Sequence, residues 1–482
     1  MNIEKFPEYV EQIINGVDQG HFDDVERIPD DYTYEHLFAL CFAARMLDGG
    51  VELYRKMHHI AERCAIANLR RKVSGEEKIK VLFWAYSAAE WQAESVYRKM
   101  LEDERFDVGI IVMPAMMRSY EARRKSYKDS YDYFSARGYQ LIDVYDEPSD
   151  KSIGWDDVGF LPDIVFNLNA YVEEIPDSMD IMKLPLHCLQ IYIPYCMYLP
   201  DNKERTYLRE AVYTKAVFNI MHRIYMESES HKKGFQDFNL LKGSNVRYSG
   251  FPKMDYFYEK HEFPESRIRD IWKLPSIIPT TKMKRVIIAP HHSMSPEHII
   301  RFSTFMNNAF FLLYLAQKYC DEISFIFKPH PNVRMSAVKT GLFRSYEEYD
   351  AYVAQWDRLP NAKVVTEENY LDIFATSDAM IMDSGSFIGE YLYVNKPLLF
   401  LTRDGQAFSF LGEKLMTAYY QSPGTDYATI EEFLRNVVIG GNDTKEEIRK
   451  KVFEEELDYV SIHGCTAGET IYRDMISMLG DE

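Results

Sequence analysis

Ile323-Ser-Phe-Ile-Phe-Lys-Pro-His-Pro331 and Ala379-Met-Ile-Met-Asp-Ser-Gly-Ser-Phe-Ile-Gly-Glu390 decide how the rest of the chain is read. Each is a short apolar run that stops at a polar turn, the pattern of a strand buried on both faces. The first ends in a histidine held between two prolines. The second ends in small hydroxyl residues ahead of a helix-like stretch that closes at Asn395-Lys396-Pro397.

On either side the same alternation continues. Strands are expected at Lys284–Pro290, Ala362–Thr366 and Pro397–Leu401. Helices are expected at Glu297–Tyr319, Tyr370–Ser377, Phe387–Val394, Thr429–Ile439, Lys445–Tyr459 and Gly468–Leu479. A second alternating series lies upstream, with strands at Ile79–Trp84, Asp107–Met113, Gln140–Tyr145 and Ile164–Leu168, and helices at Ala89–Leu101 and Tyr120–Arg137. Leu189–Ile193 and Val246–Gly250 are further strand candidates. Strands alternating with helices build βαβ units and parallel sheets. Residues 250–281, rich in Pro and charge, read as a linker, and residues 1–75 read as helical with a break at Asp48-Gly49-Gly50. The expected fold is α/β: two doubly wound, Rossmann-like domains (78–255 and 283–482) facing a cleft, plus an N-terminal helical extension (1–75). Docking or oligomerisation is the default role for that extension.

A formal charge of −19 opposes nucleic acid as a partner, because phosphate neutralisation needs a basic face. The basic clusters at Leu69–Lys72 and Lys282–Arg285 are short solvated surfaces that leave peripheral membrane association open. Six scattered cysteines without C-x-x-C spacing read as reduced thiols. The first residues lack signal-peptide character, and no apolar run approaches a membrane span. The expected location is therefore cytoplasmic, with the inner membrane face as the furthest excursion.

Every chemistry-bearing cluster of the second domain sits just past a strand. In a doubly wound sheet such loops share the carboxyl-end rim, where ligands bind. His330 is the first catalytic candidate, as a donor to a diphosphate oxygen, and His291 and His292 join it as base or donors. Lys328 and Arg334 add positive charge; Asp383, Ser384, Gly385 and Ser386 form a turn whose hydroxyls and N–H groups suit phosphate. Glu390, one turn in, is placed to accept from ribose hydroxyls. The bland readings are a core histidine and a plain N-cap serine. No G-x-x-x-x-G-K-[ST], G-x-G-x-x-G, H-E-x-x-H or G-x-S-x-G phrase occurs, which leaves P-loop, dinucleotide, zinc-protease and hydrolase readings unsupported. No metal requirement and no tightly bound cofactor are expected.

The second half resembles the CDP-glycerol glycerophosphotransferase family of teichoic-acid and capsule synthesis. The resemblance rests on Lys328-Pro-His-Pro331, Tyr370-Leu-Asp-Ile-Phe-Ala-Thr-Ser-Asp378, Asp383-Ser-Gly-Ser386 with Glu390, and Lys396-Pro397, while Gly250-Phe-Pro-Lys-Met-Asp255 is similar to the segment closing the family's first domain. It implies a GT-B fold, a CDP-activated donor, a polymer or glycan acceptor, and transfer of glycerol or ribitol phosphate with release of CMP. It also implies His330, Ser384 and Ser386 on the donor diphosphate. Two features depart from the family. Its Trp-His-Gly phrase is replaced by Gln190-Ile-Tyr-Ile-Pro-Tyr-Cys196, with only His187 nearby, and its Pro-Thr-Trp by Pro290-His291-His292. A GT-B glycosyltransferase using a CMP- or UDP-sugar, and a catalytically inactive binding subunit, remain the alternatives.

Overall fold

The computed structural model describes residues 3–24, 28–117, 119–171, 175–275, 279–366 and 370–480. The chain divides into two compact units. The first comprises Met1–Cys196, Arg209–Asp255 and Tyr459–Glu482, and the second Met197–Leu208 and Tyr256–Asp458. These cuts differ from the boundaries read in the sequence, because the last helix belongs to the first unit and residues 197–208 to the second. Residues 25–27 of the expected helical extension and 276–278 of the expected linker lie outside the described residues.

The first unit holds a seven-stranded, wholly parallel sheet. Its order is Val246–Tyr248, Arg223–Met226, Leu189–Tyr192, Ile164–Asn167, Ile79–Ala85, Phe106–Val112, Leu141–Ile142. The strand Arg223–Met226 was not anticipated from sequence. The N-terminal helices Phe6–Asp18, Tyr34–Ala43 and Gly50–Ser74 are part of this unit, and Leu69 and Ala65 join the same apolar core as Val81, Phe83 and Ile110. His58 of the helix Gly50–Ser74 and His222 are both buried, with ring centroids 5.1 Å apart. Burial pushes the His58 imidazole down to about 4 and that of His222 well below its ordinary value. The helix Ala467–Leu479 contributes Ile471, Met475 and Leu479 to the core. Its first N–H groups, Ala467 and Gly468, donate to the Asp255 carboxylate, both at 2.8 Å. Gly250 has φ +87°, and a Cβ there would meet the Tyr459 ring at 2.2 Å, so only glycine closes this turn.

The second unit holds a six-stranded parallel sheet in the order Ala362–Val364, Ile323–Phe327, Lys284–Ala289, Ala379–Met382, Leu398–Thr402, Tyr420–Pro423. Its core surrounds Val286, Phe325, Ile381 and Leu399, with Trp356 and Tyr352 from the helix Tyr346–Arg358. The helix expected from Glu297 starts at Phe305 instead. Residues 290–304 form a long loop because their side chains and amides are bonded to the sheet's edge, as described below. The segment Met197–Leu208 lays Pro200–Asp201 antiparallel to Ala407–Phe408 of the same unit. No helix among the described residues is long and apolar enough to cross a membrane.

Candidate active site

Three adjacent strands of the second sheet define the site. Ile288 pairs with Phe327 and Ala289 with Met382 in parallel register, so the residues that follow all three strands emerge at one edge. The loops are then stitched together. Lys328 N–H donates to Ile288 O at 2.8 Å and His330 N–H to Pro290 O at 3.1 Å. Pro329 and Pro331 remove competing donors and fix φ on both sides of the histidine.

His291, His292 and His330 meet there. Ring centroids are 4.3 Å apart for His291 and His292, 4.2 Å for His292 and His330, and 5.3 Å for His291 and His330. The backbone decides what two of these rings offer. The Asn332 N–H donates to His330 Nδ1 at 3.1 Å, and the Ser293 N–H to His291 Nδ1 at 3.3 Å. Ser293 Oγ lies 2.7 Å from the same Nδ1 and accepts from Phe302 N–H at 2.9 Å, so its own hydrogen is free to point at the ring. An amide N–H can only donate, so both Nδ1 atoms carry lone pairs and both neutral rings carry their hydrogen on Nε2. Burial pushes His330 down to about 4, assisted by Lys328, and His292 down to about 3, assisted by His330 and His298; His291 falls well below its ordinary value through burial and its histidine neighbours. At neutral pH the cluster is a set of uncharged imidazoles with two Nε2–H donors.

One ring nitrogen from each of the three histidines lies within 4.8 Å of the others, a spacing that admits a divalent cation. The tautomers oppose it. Ligation through Nε2 of His330 or His291 would move the hydrogen onto an Nδ1 that already faces an amide N–H. This set of donors fits an anion better than a metal.

Asp383 does not face the site. It is 2% exposed and accepts from His291 N–H at 2.6 Å and from Thr304 Oγ1 at 2.8 Å, with the Thr304 N–H as a third donor. Burial pushes its carboxyl up to about 6, against the pull of those donors. It locks the histidine loop to the start of the helix Phe305–Lys318 and so acts as a positioning residue. Asp383→Ala leaves buried donors unanswered and is expected to cost about 3 kcal/mol of stability in urea unfolding. Asp383→Asn, which keeps one acceptor, should cost clearly less.

The other candidates are placed as follows. Ser384 and Gly385 are buried and Ser386 is half-buried at the turn. The following helix is only Phe387–Glu390 continued by a 3-10 turn, Tyr391–Val394, and Ser386 caps nothing with its side chain. Its dipole is therefore small, and what the turn offers an anion is its hydroxyls. A Cβ on Gly385 would lie 2.2 Å from Pro200 Cγ, which is how closely residues 197–201 approach this turn. Lys328 Nζ stands 5.6 Å from the Tyr370 ring centroid, and Tyr370 donates its hydroxyl to the buried Glu390. A ribose contact to Glu390 would have to share that carboxylate. Arg334 is exposed and paired twice with Asp350, at 2.8 and 2.7 Å, so its charge is already answered.

Sequence reasoning placed Ser293 in the polar cluster Pro290–Ser293 without giving it a role, and missed Thr304 and Arg403. Arg403 Nη1 donates to Met294 O at 3.1 Å and Ser303 O at 2.7 Å, tying residues 290–304 to a fourth strand exit. None of the three lies in a motif, but Ser293 two residues after a histidine was a signal available in the sequence.

The sequence profile of CDP-glycerol:poly(glycerophosphate) glycerophosphotransferases matches residues 210–475, more than half the chain. The chain belongs to this family. As a glycerophosphotransferase-family member it takes a nucleotide-activated donor and a polymer acceptor. Among solved structures it is similar to a UDP-GlcNAc 2-epimerase from Neisseria meningitidis bound to UDP-GlcNAc. The two share 15% identity over 83% of this chain and 100% of that one, with a TM-score of 0.50. It is likewise similar to a variant of the wall teichoic acid polymerase TagF, at 12% identity over 87% of this chain and 99% of that one, also with a TM-score of 0.50. At these identities the likenesses establish the GT-B-like α/β fold of this glycerophosphotransferase. Comparison with curated proteins returns no match.

Proposed function

We propose that the chain transfers glycerol phosphate from CDP-glycerol to a hydroxyl of a growing surface polymer, with the donor diphosphate seated against the Nε2–H groups of His330 and His291. The acceptor oxygen bonds to the β-phosphorus as the bond from that phosphorus to the bridging oxygen breaks. CMP leaves with the bridging oxygen and the pair of electrons, and the hydroxyl proton passes to a base or to water. Charge then collects on the departing phosphate. Preorganised donors beside it, in a site sheltered from water, stabilise the transition state more than the ground state. Two donors held by backbone amides need no reorientation at that moment, and this observation carries the reading. Lys328 adds the positive charge that neutral imidazoles lack, and the hydroxyls of Ser384 and Ser386 add further donors. His292, whose buried Nδ1 has no hydrogen-bond partner among the described residues, fills the space between the two donor rings. No resident cation is assigned to the trio, on the tautomers given above.

The test is incubation with CDP-glycerol and a glycerol phosphate primer. CMP should appear in step with primer extension. Release of nucleotide from a CMP- or UDP-sugar, with none from CDP-glycerol, would overturn the reading.

A further inference from the structure

The first unit carries a cavity far along the chain from the histidine loops. It has a volume of about 590 Å3, within the size range of ligand sites, and is lined by Arg45, Arg55, Arg209 and Lys242 with a single carboxylate, Asp237. In a chain of net charge −19 such a grouping needs a reason. Like charges around one concavity repel, and natural surfaces relieve this by interleaving carboxylates. Here the contacts are to carbonyls instead. Arg55 Nε donates to Leu240 O at 2.8 Å and Lys242 Nζ to Asp237 O at 3.3 Å, which orients both groups without neutralising them. Among the described residues Arg45, Arg55 and Lys242 have no carboxylate partner at ion-pair distance, and Arg209 meets only its exposed neighbour Glu210 at 3.3 Å. The backbone is shaped for the purpose as well. Arg209 opens a π-helical turn, a geometry enriched at functional sites, and Lys242 is held at φ +54°.

We propose that this cavity binds a phosphodiester-linked polyol chain. One phosphate would satisfy one or two of the four cations; several along a chain would satisfy all. Val51, Phe238 and Leu240 supply an apolar wall for the carbon skeleton between phosphates. The identity of the polymer as acceptor rests on the proposed reaction, but the chemistry of the bound anion does not. The site would hold earlier repeats of the polymer while its end is extended, and so favour long acceptors over short ones.

The test uses the full chain without donor, a fluorescently labelled oligo(glycerol phosphate) and its anisotropy. Arg45→Gln/Arg209→Gln alters two exposed residues, and its melting temperature should match wild type. Its affinity should fall about tenfold, and the slope of log affinity against log salt should flatten by about two, as loss of two phosphate contacts requires. His330→Ala should bind the oligomer as wild type does. If wild type binds the oligomer but releases no CMP from CDP-glycerol, the reaction falls and this site stands. Unchanged oligomer affinity in the double variant would overturn the site. So would loss of binding to phosphatidylglycerol vesicles alone, because that would make the cavity a headgroup site.

Discussion

His330→Ala should lower kcat/KM for CDP-glycerol by about two to three orders of magnitude, the usual cost of deleting one preorganised donor to a developing oxyanion. The melting temperature should move by no more than a few degrees, since the ring is half-buried at a loop and its backbone is fixed independently by the Pro290 carbonyl. His330→Gln should recover part of the activity, because an amide N–H can stand near the position of Nε2. The pH profile separates two roles for the ring. A neutral donor with its pKa near 4 gives a rate that is flat on this group's account from about pH 6 to pH 8. An imidazolium acid would instead give a rate rising as pH falls. A large loss of melting temperature in His330→Ala, with kcat/KM for the folded fraction unchanged, would make His330 a packing residue and sink its catalytic role.

Mild acid should unfold this protein. His58, His222, His291, His292 and His330 all have folded pKa values below the ordinary 6.5. The unfolded chain therefore takes up protons near pH 6.5 that the folded chain refuses, down to about pH 4 at His58 and His330 and about pH 3 at His292. Between those values unfolding is coupled to proton uptake, and stability falls as pH falls. For His58 the gap from 6.5 to about 4 corresponds to roughly 3 kcal/mol. Asp383 works the other way. Its carboxyl, raised to about 6, binds a proton in the folded state first and returns some stability as pH drops below that point. Asp180 and Asp255, also raised by burial, act in the same sense. Burial also lowers His36, His187 and His463, so eight depressed imidazoles outweigh three raised carboxyls, and a domain has only about 5–15 kcal/mol to lose. The urea midpoint should drop steeply between about pH 6.5 and pH 4.5. A midpoint that stays level through that window would show that these rings are not held neutral.

The meeting of the histidine loops was readable because strands buried on both faces have a plain signature and the residues after them must share an edge. Ile323–Phe327 and Ala379–Met382 were legible for that reason. Arg223–Met226 was not, since its opening arginine and the preceding His222 break the apolar run, although both are buried in the fold. Tyr420–Pro423 is a half-exposed edge strand with a terminal proline and lacks the signature altogether. The late start of the helix at Phe305 was hidden too: His298 through Phe302 have helical spacing, but the Phe302 amide and carbonyl are claimed by Ser293 and Gln406, and the Ser303 carbonyl by Arg403. Asp383 was read as part of the phosphate turn, whereas the fold turns it to the His291 amide and to Thr304. A carboxylate beside two serines looks like a ligand group in a line of letters; only the third dimension turns it toward Thr304. The histidine tautomers, which carry the proposed chemistry, depend on amides two residues downstream and leave no trace in composition or motif.

Neither compact unit is one uninterrupted piece of chain, and this bears on how the protein is born. The first unit closes its core with Ile471, Met475 and Leu479 and seats that helix on Asp255, so it lacks a wall until the ribosome has delivered Leu479. The second unit, complete by Asp458, can consolidate while its elder neighbour still waits. Synthesis order and folding order are thereby reversed. A product truncated after Asp458 would carry a formed histidine cluster and an unsealed first unit, and would be recognised by proteases for the apolar surface it shows.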